Sequence, residues 1–220
     1  MNFSVSEENH IKHIYHLQQQ HGTVGTNHLA EGLKTKPASV TDMLKKLKAK
    51  KIVQYQPYKG FRLTESGNKL AIAIIRKHRL WEYFLSAKLG FEWDKVHEIA
   101  EQLEHITSNE LINRLDDFLE NPVMDPHGDP IPTKEGKIPV IKKINLQYAP
   151  VNKPLAVCAV SNQSTQMLEI LSHYKITIGS KLKISKKFLF DNSVEVKLNN
   201  QPATILSEQV AKNIFVYDNR

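Results

Sequence analysis

Hydrophobic residues recur at helical spacing through the first 120 residues and form short, strand-like runs after residue 142. Spacings of three and four predict a first helix over 7–20, with Ser6 as its N-cap and Gly22 after its end. A short second helix follows from Thr26. A third begins at Pro37, because proline suits the first turn of a helix. The chain therefore opens with three helices joined by short connections.

The third predicted helix, PASVTDMLKKLKAKK, separates an apolar stripe from a basic face. Val40, Leu44 and Leu47 lie on the packing side together with Met43, whereas the lysines point outward. The following segment, IVQYQPYKGFRL, predicts two strands around a turn at Lys59–Gly60. Two short helices, the second of them basic, followed by a hairpin are typical of a winged helix-turn-helix.

Three more helices are predicted over 64–89, 93–106 and 108–120. The segment 121–139 contains five prolines and two glycines, which predicts a loop. Beyond residue 142 the runs PLAVCAV, KLKIS, FLFD, SVEVKL, ATILS and NIFVY predict short strands, with one helical stretch near 163–173. The second half is therefore predicted to be a small antiparallel barrel or sandwich.

Composition narrows the classes of protein. The 220 residues are 40% hydrophobic and 24% charged, which is typical of a globular protein. We expect a cytoplasmic protein with no membrane partner, because no apolar run of about eighteen residues occurs and the first residues do not form a signal peptide. The single Cys158 excludes an intrachain disulfide and a thiolate zinc cluster within one chain. A net charge of +7 suits a polyanionic partner.

A histidine followed one helical turn later by a glutamate occurs on two successive predicted helices. The pairs are His78 with Glu82 and His97 with Glu101, and the second is extended by Glu104 and His105. In a helix over 93–106, the last four of these residues would share one face. Imidazole and carboxylate together favour a transition metal over Mg²⁺ or Ca²⁺, so the pattern predicts a metal site built between helices. The alternative interpretation is a solvated polar face.

On the helix-turn-helix interpretation, residues near the start of the third helix meet base edges, and the lysines that follow bind phosphate. The predicted base-contacting residues are Lys36, Pro37, Ala38, Ser39, Thr41 and Asp42. The predicted phosphate-contacting residues are Lys45, Lys46 and Lys48, with Lys59 and Arg62 of the wing. The alternative is a three-helix packing module with a solvated lysine face.

Catalytic motifs offer little support for an enzyme. The metallopeptidase motif H-E-x-x-H is absent, because the similar string EQLEH has a carboxylate where the first histidine would stand. No G-x-S-x-G nucleophile motif occurs, and Cys158 lies in an apolar strand, where most cysteines are inert. We therefore predict a protein that is not an enzyme.

The basic helix, the wing and the strings RKHRLWE and KVHEIAEQLEH, read together, resemble the diphtheria-toxin-repressor family of metal-dependent transcriptional regulators. The likeness extends from SEENHIKHIYHL through the loop DPHGDPIP to ITIGSKLKI. It implies an α+β fold with an N-terminal winged helix-turn-helix, a central helical dimerisation and metal-binding domain, and a C-terminal SH3-like small β-barrel. The corresponding ranges are 1–73, 74–142, a linker over 143–152, and 153–220.

The resemblance also implies the ligands of two metal sites. The ancillary site would consist of His78, Glu82 and His97, completed either by Gln163 and Gln166 or by Asp125 and His127. The primary site would consist of Asn9, Glu101, Glu104 and His105. Iron-sensing members have cysteine at the position of Glu101 and methionine at that of Asn9. The oxygen donors here favour Mn²⁺, with Fe²⁺ second and Zn²⁺ or Co²⁺ as further ions in vitro.

The implied function is a homodimeric repressor that binds palindromic operator DNA when loaded with metal and controls metal-uptake genes. A metal held by Asn9 and by residues 101–105 would tie the DNA-binding helices to the central domain. Without metal, we expect the carboxylates to repel each other and to leave the N-terminal segment free to move. Two alternatives stay open: an iron-dependent regulator of the same family, and a metal-independent winged-helix regulator.

Overall fold

The computed structural model describes residues 3–58, 60–106, 108–198 and 201–217. The chain forms two compact units. The first consists of Met1–His78, Glu101–Asn113 and Pro132–Lys137, and the second of Arg79–Ala100, Arg114–Ile131 and Ile138–Arg220. Among the described residues, no helix combines the length and the apolar composition that a membrane span requires.

The first unit begins with the helices α1 (Val5–His21), α2 (Thr26–Gly32) and α3 (Pro37–Ala49). Helix α1 begins earlier than predicted, because Ser4 and not Ser6 is its N-cap. The Glu7 amide donates to Ser4 Oγ at 3.3 Å, and the Ser4 amide donates to Glu7 Oε2 at 2.9 Å. This reciprocal capping box satisfies two amides at the helix start. Gly22 ends α1 with a φ of 77°, as predicted.

Aliphatic side chains form the core of the helix-turn-helix. Val40, Leu44 and Leu47 of α3 are buried as predicted. They belong to one cluster with Ile11, Ile14, Leu29, Val53 and Ile74. Burying a side chain of this size contributes about 1.5–3 kcal/mol. The apolar stripe therefore fixes the orientation of α3 and leaves its lysine face outside.

Strands β1 (Val53–Gln56) and β2 (Gly60–Leu63) pair antiparallel and form the predicted wing. Val24, which precedes α2, exchanges two backbone hydrogen bonds of 2.9 Å with Phe61. Gly60 has a φ of 105°, and a Cβ there would lie 2.5 Å from the Val24 carbonyl oxygen. Only glycine suits this position, because it combines a left-handed backbone with a close approach of two chains.

Three further helices are α4 (Glu65–Leu89), α5 (Val96–Leu103) and α6 (Asn109–Phe118). Residues 121–139 form the predicted loop. The prediction of a helix over 93–106 is wrong at both ends. The Ile106 amide donates to the Leu103 carbonyl at 3.2 Å in a tight closing turn. Glu104 and His105 therefore lie in the turn after α5 and not on its face.

The second unit contains strands β3 (Lys143–Asn145), β4 (Pro154–Val160), β5 (Lys181–Lys187), β6 (Val194–Leu198), β7 (Thr204–Leu206) and β8 (Ile214–Tyr217). They form one antiparallel sheet in the order β3–β8–β4–β5–β6–β7, with helices α7 (Thr165–His173) and α8 (Glu208–Ala211). Val157, Ile184 and Val196 of the sheet are fully buried in one cluster with Leu171 of α7. Together with the winged helix-turn-helix, this sheet confirms the predicted α+β fold.

Two predictions for the C-terminal half differ from the structure. The predicted linker over 143–152 contains β3, and Leu146 and Ala149 are fully buried in the core of the sheet. The predicted strand FLFD is a turn, in which the Phe188 amide donates to the Ser193 carbonyl at 2.9 Å. Asp191 Oδ1 accepts hydrogen bonds of 3.0 and 2.7 Å from the amide and hydroxyl of Ser193. A side chain thus satisfies the donor that a strand would pair.

Candidate metal centres and DNA-binding surface

Three charged side chains meet in the first unit, and only two of them, Glu101 and Glu104, are predicted as ligands from the sequence. Lys12 Nζ donates to Glu101 Oε1 at 2.6 Å and to the two carboxylate oxygens of Glu104 at 2.7 and 2.8 Å. The Glu104 side chain is fully buried and that of Lys12 is 11% exposed. Water therefore screens this contact only weakly.

His78 provides a further contact of Glu104, since its Nδ1 lies 2.6 Å from Glu104 Oε2. Burial alone would raise the pKa of Glu104, but the hydrogen bond from His78 and the charge of Lys12 lower it. The ammonium of Lys12 lies between Glu101 and Glu104 and offsets part of the repulsion that is expected between these carboxylates without metal.

His105 Nε2, beside this cluster, is a buried atom without a hydrogen-bond partner among the described residues, and so is Asn9 Oδ1 on α1. His105 Nδ1 lies 2.6 Å from Glu8 Oε2, and its Nε2 lies 3.9 Å from Glu104 Oε1. A carboxylate that accepts from Nδ1 fixes the tautomer in which Nε2 is free to bind a metal. Glu104 and His105, with Glu101 beside them, therefore fit a metal ion. The role of Asn9 as a further ligand stays a prediction.

A second cluster lies in the other unit, where Glu82, Asp125 and His127 are all buried and bring one ligand atom each to within 4.8 Å of the others. His127 Nδ1 lies 3.7 Å from Glu82 Oε2 and has no hydrogen-bond partner among the described residues. His127 Nε2 lies 2.8 Å from the carbonyl oxygen of Trp93, which accepts its proton and leaves Nδ1 as the lone pair. His97 Nδ1 lies 3.1 Å from Glu82 Oε1.

The second cluster concentrates negative charge in a dry environment. Burial, followed by the charges of Glu82 and Asp129, raises the pKa of Asp125 to about 7. Burial alone would lower the pKa of His127, but the Glu82 carboxylate outweighs it and raises that pKa. A bound cation would relieve the repulsion between the carboxylates, so these residues also fit a metal.

The turn in DPHGD presents the loop ligands of the second cluster. Asp125 Oδ1 accepts from the amides of His127 at 2.8 Å and Asp129 at 3.0 Å, and the Val160 amide donates to the His127 carbonyl at 3.0 Å. Gly128 has a φ of 83°, and a Cβ there would overlap the carbonyl oxygen of Cys158 in β4. The close approach of this turn to β4 therefore requires glycine.

We expect Gly128→Ala to lower the thermal stability of the chain and to weaken metal binding at the second cluster. The left-handed backbone alone costs alanine about 1–2 kcal/mol, and displacement of the turn from Cys158 adds to this. Gly179→Ala is the matched control, because Gly179 has a φ of 85° and a Cβ there would meet no atom of a described residue beyond its chain neighbours within 4 Å. Thermal melts and Mn²⁺ calorimetry compare the two variants. Equal effects would contradict the steric argument.

Of the two glutamines predicted as alternative ligands, one contacts a residue beside the second cluster and the other is exposed. Gln163 Nε2 donates to Asp129 Oδ2 at 3.0 Å, whereas Gln166 is exposed on α7. Arg79 Nη2 lies 3.4 Å from Asp129 Oδ2, and Arg79 Nε lies 3.6 Å from Asp125 Oδ2. Of the two predicted alternatives, the structure thus brings Asp125 and His127 to Glu82.

The predicted DNA-contacting residues of the first unit lie on an exposed face. Those of α3 and its N-cap are Lys36, Pro37, Ala38, Ser39, Thr41, Asp42, Lys45, Lys46 and Lys48, all of them exposed. Thr41 Oγ1 donates to the Pro37 carbonyl at 2.9 Å, and Lys45 Nζ lies 3.3 Å from Asp42 Oδ1. Arg62 is exposed on β2, and Lys59 lies outside the described residues.

Two family models match the chain over adjacent ranges. Residues 2–61 match "Iron dependent repressor, N-terminal DNA binding domain", and residues 64–133 match "Iron dependent repressor, metal binding and dimerisation domain". A solved structure described as a manganese-dependent transcriptional repressor in complex with manganese has 30% sequence identity and a TM-score of 0.83, over 96% of this chain and 99% of that chain. The chain belongs to the diphtheria-toxin-repressor family.

The names of other relatives in this family refer to different metals. The iron-dependent repressor IdeR of Mycobacterium tuberculosis is 34% identical over 125 residues, which are 57% of this chain and 54% of that protein. The chain thus spans about half the length of this curated relative. The HTH-type transcriptional regulator MntR of Bacillus pumilus is 33% identical over 115 residues, which are 52% of this chain and 79% of that protein. The solved manganese regulator SloR has a TM-score of 0.76 and 28% identity, with 97% and 98% coverage.

The side chains that surround the proposed ligands of this diphtheria-toxin-repressor family member are not predicted from its sequence. Glu8 and Lys12 lie one turn apart on α1 and are 7% and 8% exposed. Arg79 and Trp93 contact the second cluster through an ion pair and a carbonyl oxygen. The one available signal is that Glu8 and Lys12 flank the apolar stripe of α1 at i,i+4 spacing, which does not identify their distant partners.

Proposed function

We propose that this chain is a metal-dependent transcriptional repressor that binds palindromic operator DNA as a homodimer when it is loaded with Mn²⁺, and that it controls metal-uptake genes. The observation that supports the proposal most is the buried His105 Nε2, which lacks a hydrogen-bond partner among the described residues and lies 3.9 Å from Glu104 Oε1. A metal ion between them would satisfy it, and Asn9, whose Oδ1 is also buried and without such a partner, is the proposed further ligand. The exposed basic face of α3 supports the DNA-binding part.

The chemistry of the donors supports Mn²⁺ as the activating ion, with Fe²⁺ second. Carboxylate, amide and imidazole groups supply oxygen and nitrogen in both clusters, and hard donors of this kind suit Mn²⁺. The single cysteine, Cys158, is buried in β4. Zn²⁺ or Co²⁺ would bind in vitro by the general affinity order of divalent metals.

The proposed ligands fall into two sets. One set is Asn9, Glu101, Glu104 and His105, and the other is Glu82, Asp125 and His127 with His97 beside them. The assignment of His78, Glu82 and His97 to one ancillary site stays a prediction, as does the domain limit at residue 73. Both family models describe repressor domains, and the family is one of transcriptional repressors and not of enzymes.

The mechanism follows from the position of Asn9 on α1. A metal bound to Asn9 and His105 would join the first helix of the DNA-binding module to the turn after α5. The metal supplies positive charge and fixed coordination directions. On this mechanism α1 would have two positions, and the metal would bind more tightly to one of them. A ligand shifts an equilibrium only through such a difference in affinity for the two states. Two recognition helices about 34 Å apart would then fit successive major grooves.

An operator titration tests this proposal. The operator duplex is first selected from a random library, with and without Mn²⁺. The full chain is then titrated into the selected duplex, once in buffered free Mn²⁺ and once in chelator. We expect affinity to rise roughly 10- to 100-fold with Mn²⁺, and less with Zn²⁺ at its buffered free concentration. An unrelated duplex of equal length is the control. Equal affinity in chelator and Mn²⁺ would indicate the metal-independent winged-helix alternative.

A further inference from the structure

We infer that Lys12 is a built-in cation that occupies the carboxylates of the first cluster and must leave before a metal ion binds there. This inference rests on the proposed function, because it concerns the metal set of Asn9, Glu101, Glu104 and His105. Lys12 would thereby set the metal concentration at which the protein responds. A tethered competitor of this kind lowers affinity without changing any ligand.

The contacts of Lys12 are those of a bound cation. Its ammonium has three donor protons, and it has three carboxylate oxygens within 2.6–2.8 Å, one from Glu101 and two from Glu104. These oxygens are the ones that a metal ion would use. Lysine is almost never this buried unless it is paired. The ion pairs with Glu101 and Glu104 therefore account for the burial of Lys12.

Lys12 and a metal ion would exclude each other. Glu104 Oε1 accepts from Lys12 Nζ at 2.7 Å and lies 3.9 Å from the free Nε2 of His105. A metal between Glu104 and His105 would share that oxygen with the ammonium and would place two positive charges side by side. In a weakly screened site this repulsion is large. The flexible four-carbon stem of lysine allows Nζ to withdraw, which a guanidinium or a fixed ligand would not do as readily.

Lys12 differs from the histidines around the cluster in the groups that it joins. His78 contacts Glu104 Oε2, and His105 donates to Glu8. Lys12 bridges the two proposed carboxylate ligands, since its Nζ contacts Glu101 and Glu104 at once. Removing the ammonium therefore leaves both ligands in place and increases the negative charge that faces an incoming metal.

The test compares Lys12→Met with Lys50→Met in the full chain. Methionine keeps most of the apolar stem of lysine, is one atom shorter and removes the charge. Lys50 is the matched control, because its Nζ lies 2.6 Å from Glu7 of α1, and Glu7 is not a proposed ligand. We expect Lys12→Met to bind Mn²⁺ at least about tenfold more tightly than the wild type by calorimetry. Lys50→Met should differ less than about twofold, as expected for a charge removed away from the ligands. Unchanged or weaker binding by Lys12→Met overturns the inference.

Thermal melts give a second measurement that does not depend on DNA. In chelator, Lys12→Met should melt below the wild type, because Glu104 loses its counter-ion, and Mn²⁺ should raise its melting temperature more than that of the wild type. If the metal-free methionine variant does not fold, Lys12→Gln is purified with Mn²⁺. Its Mn²⁺ is then titrated away with a chelator of known affinity, and release at the wild-type chelator concentration also overturns the inference.

The outcomes separate this inference from the proposed function. If neither the wild type nor Lys12→Met binds Mn²⁺, the proposed metal regulation fails and the inference with it. If the wild type binds Mn²⁺ and Lys12→Met binds equally, the inference alone fails. Binding by Lys12→Met with none by the wild type supports Lys12 as an occupant of the site and overturns Mn²⁺ as the activating ion.

Discussion

Replacing Glu104 with alanine is expected to abolish the metal response of operator binding and to weaken Mn²⁺ binding by at least about 100-fold. The variant loses a proposed ligand, and it leaves Lys12 and His78 without the carboxylate that both contact. Breaking one side of a buried ion pair costs about 3–5 kcal/mol, so the metal-free variant should also unfold at a lower temperature. Calorimetry, operator titration and thermal melts measure the three effects.

A conservative variant separates loss of the ligand from loss of the fold. Glu104→Gln keeps the shape and an acceptor oxygen but removes the charge, so it should fold and still lose most of the metal response. Glu98→Ala is the control, because Glu98 is an exposed carboxylate on α5. An operator affinity of Glu104→Gln that rises with Mn²⁺ as in the wild type would refute the proposed role.

The double substitution Lys45→Ala and Lys46→Ala is expected to weaken operator binding at every salt concentration below about 0.2 M and to leave Mn²⁺ affinity unchanged. Each lysine that neutralises a phosphate contributes about 0.9 to the slope of log affinity against log salt. The slope should therefore become shallower by about 2. Both side chains are exposed on α3. Titrations of the selected duplex at four salt concentrations measure the slope.

A variant of equal charge distinguishes a DNA contact from a general effect of net charge. Lys181 and Lys183 are exposed on β5 in the C-terminal sheet. Their double substitution with alanine removes the same charge and should change the slope much less. If both double variants lose the same affinity, the lysines of α3 act only through the overall charge of the protein.

The elements with a strong local pattern could be predicted from the sequence. The stripe of Val40, Leu44 and Leu47 fixes α3, because the period of the apolar residues alone determines which face is buried. The two strands of the wing follow from alternation around a glycine, and Gly22 ends α1 as predicted. The start of α1 is recoverable too, since Ser4 and Glu7 form the S-x-x-E spacing of a capping box, but Ser6 is an equally plausible cap by residue type.

The composition of the first cluster could not be predicted in full, because its contacts join distant parts of the chain. Lys12 is separated from Glu101 by 89 residues and from Glu104 by 92. No local sequence rule connects them. The i,i+4 spacing of Lys12 from Glu8 instead predicts an ordinary ion pair on a helix surface. The end of α5 is also a tertiary result. Glu104 and His105 continue the helical pattern in sequence, yet their side chains contact α1 instead.

For the turn that carries Asp125 and His127, the sequence predicts the ligand residues but not their position. Proline and glycine in DPHG predict a turn, and aspartate and histidine are recognisable as ligand types. Its location depends on a hydrogen bond from Val160 and on the absence of a side chain at Gly128. The sequence therefore supplies the candidates of this cluster, whereas the approach of the turn to β4 determines that they meet Glu82.

Hydrogen bonds of two residues of β2 connect the wing to the helix-turn-helix. Phe61 exchanges backbone hydrogen bonds with Val24, and the Leu63 amide donates to Gln18 Oε1 at 2.9 Å. Arg62 lies between these two residues and so moves with the module that carries α3. On the proposed function, with α3 in a groove, Arg62 would lie near the duplex at a high effective concentration, and its contact would cost little additional ordering. On the proposed function, the lifetime of an operator complex would depend on how firmly this small sheet is held, and not only on how many lysines reach phosphate.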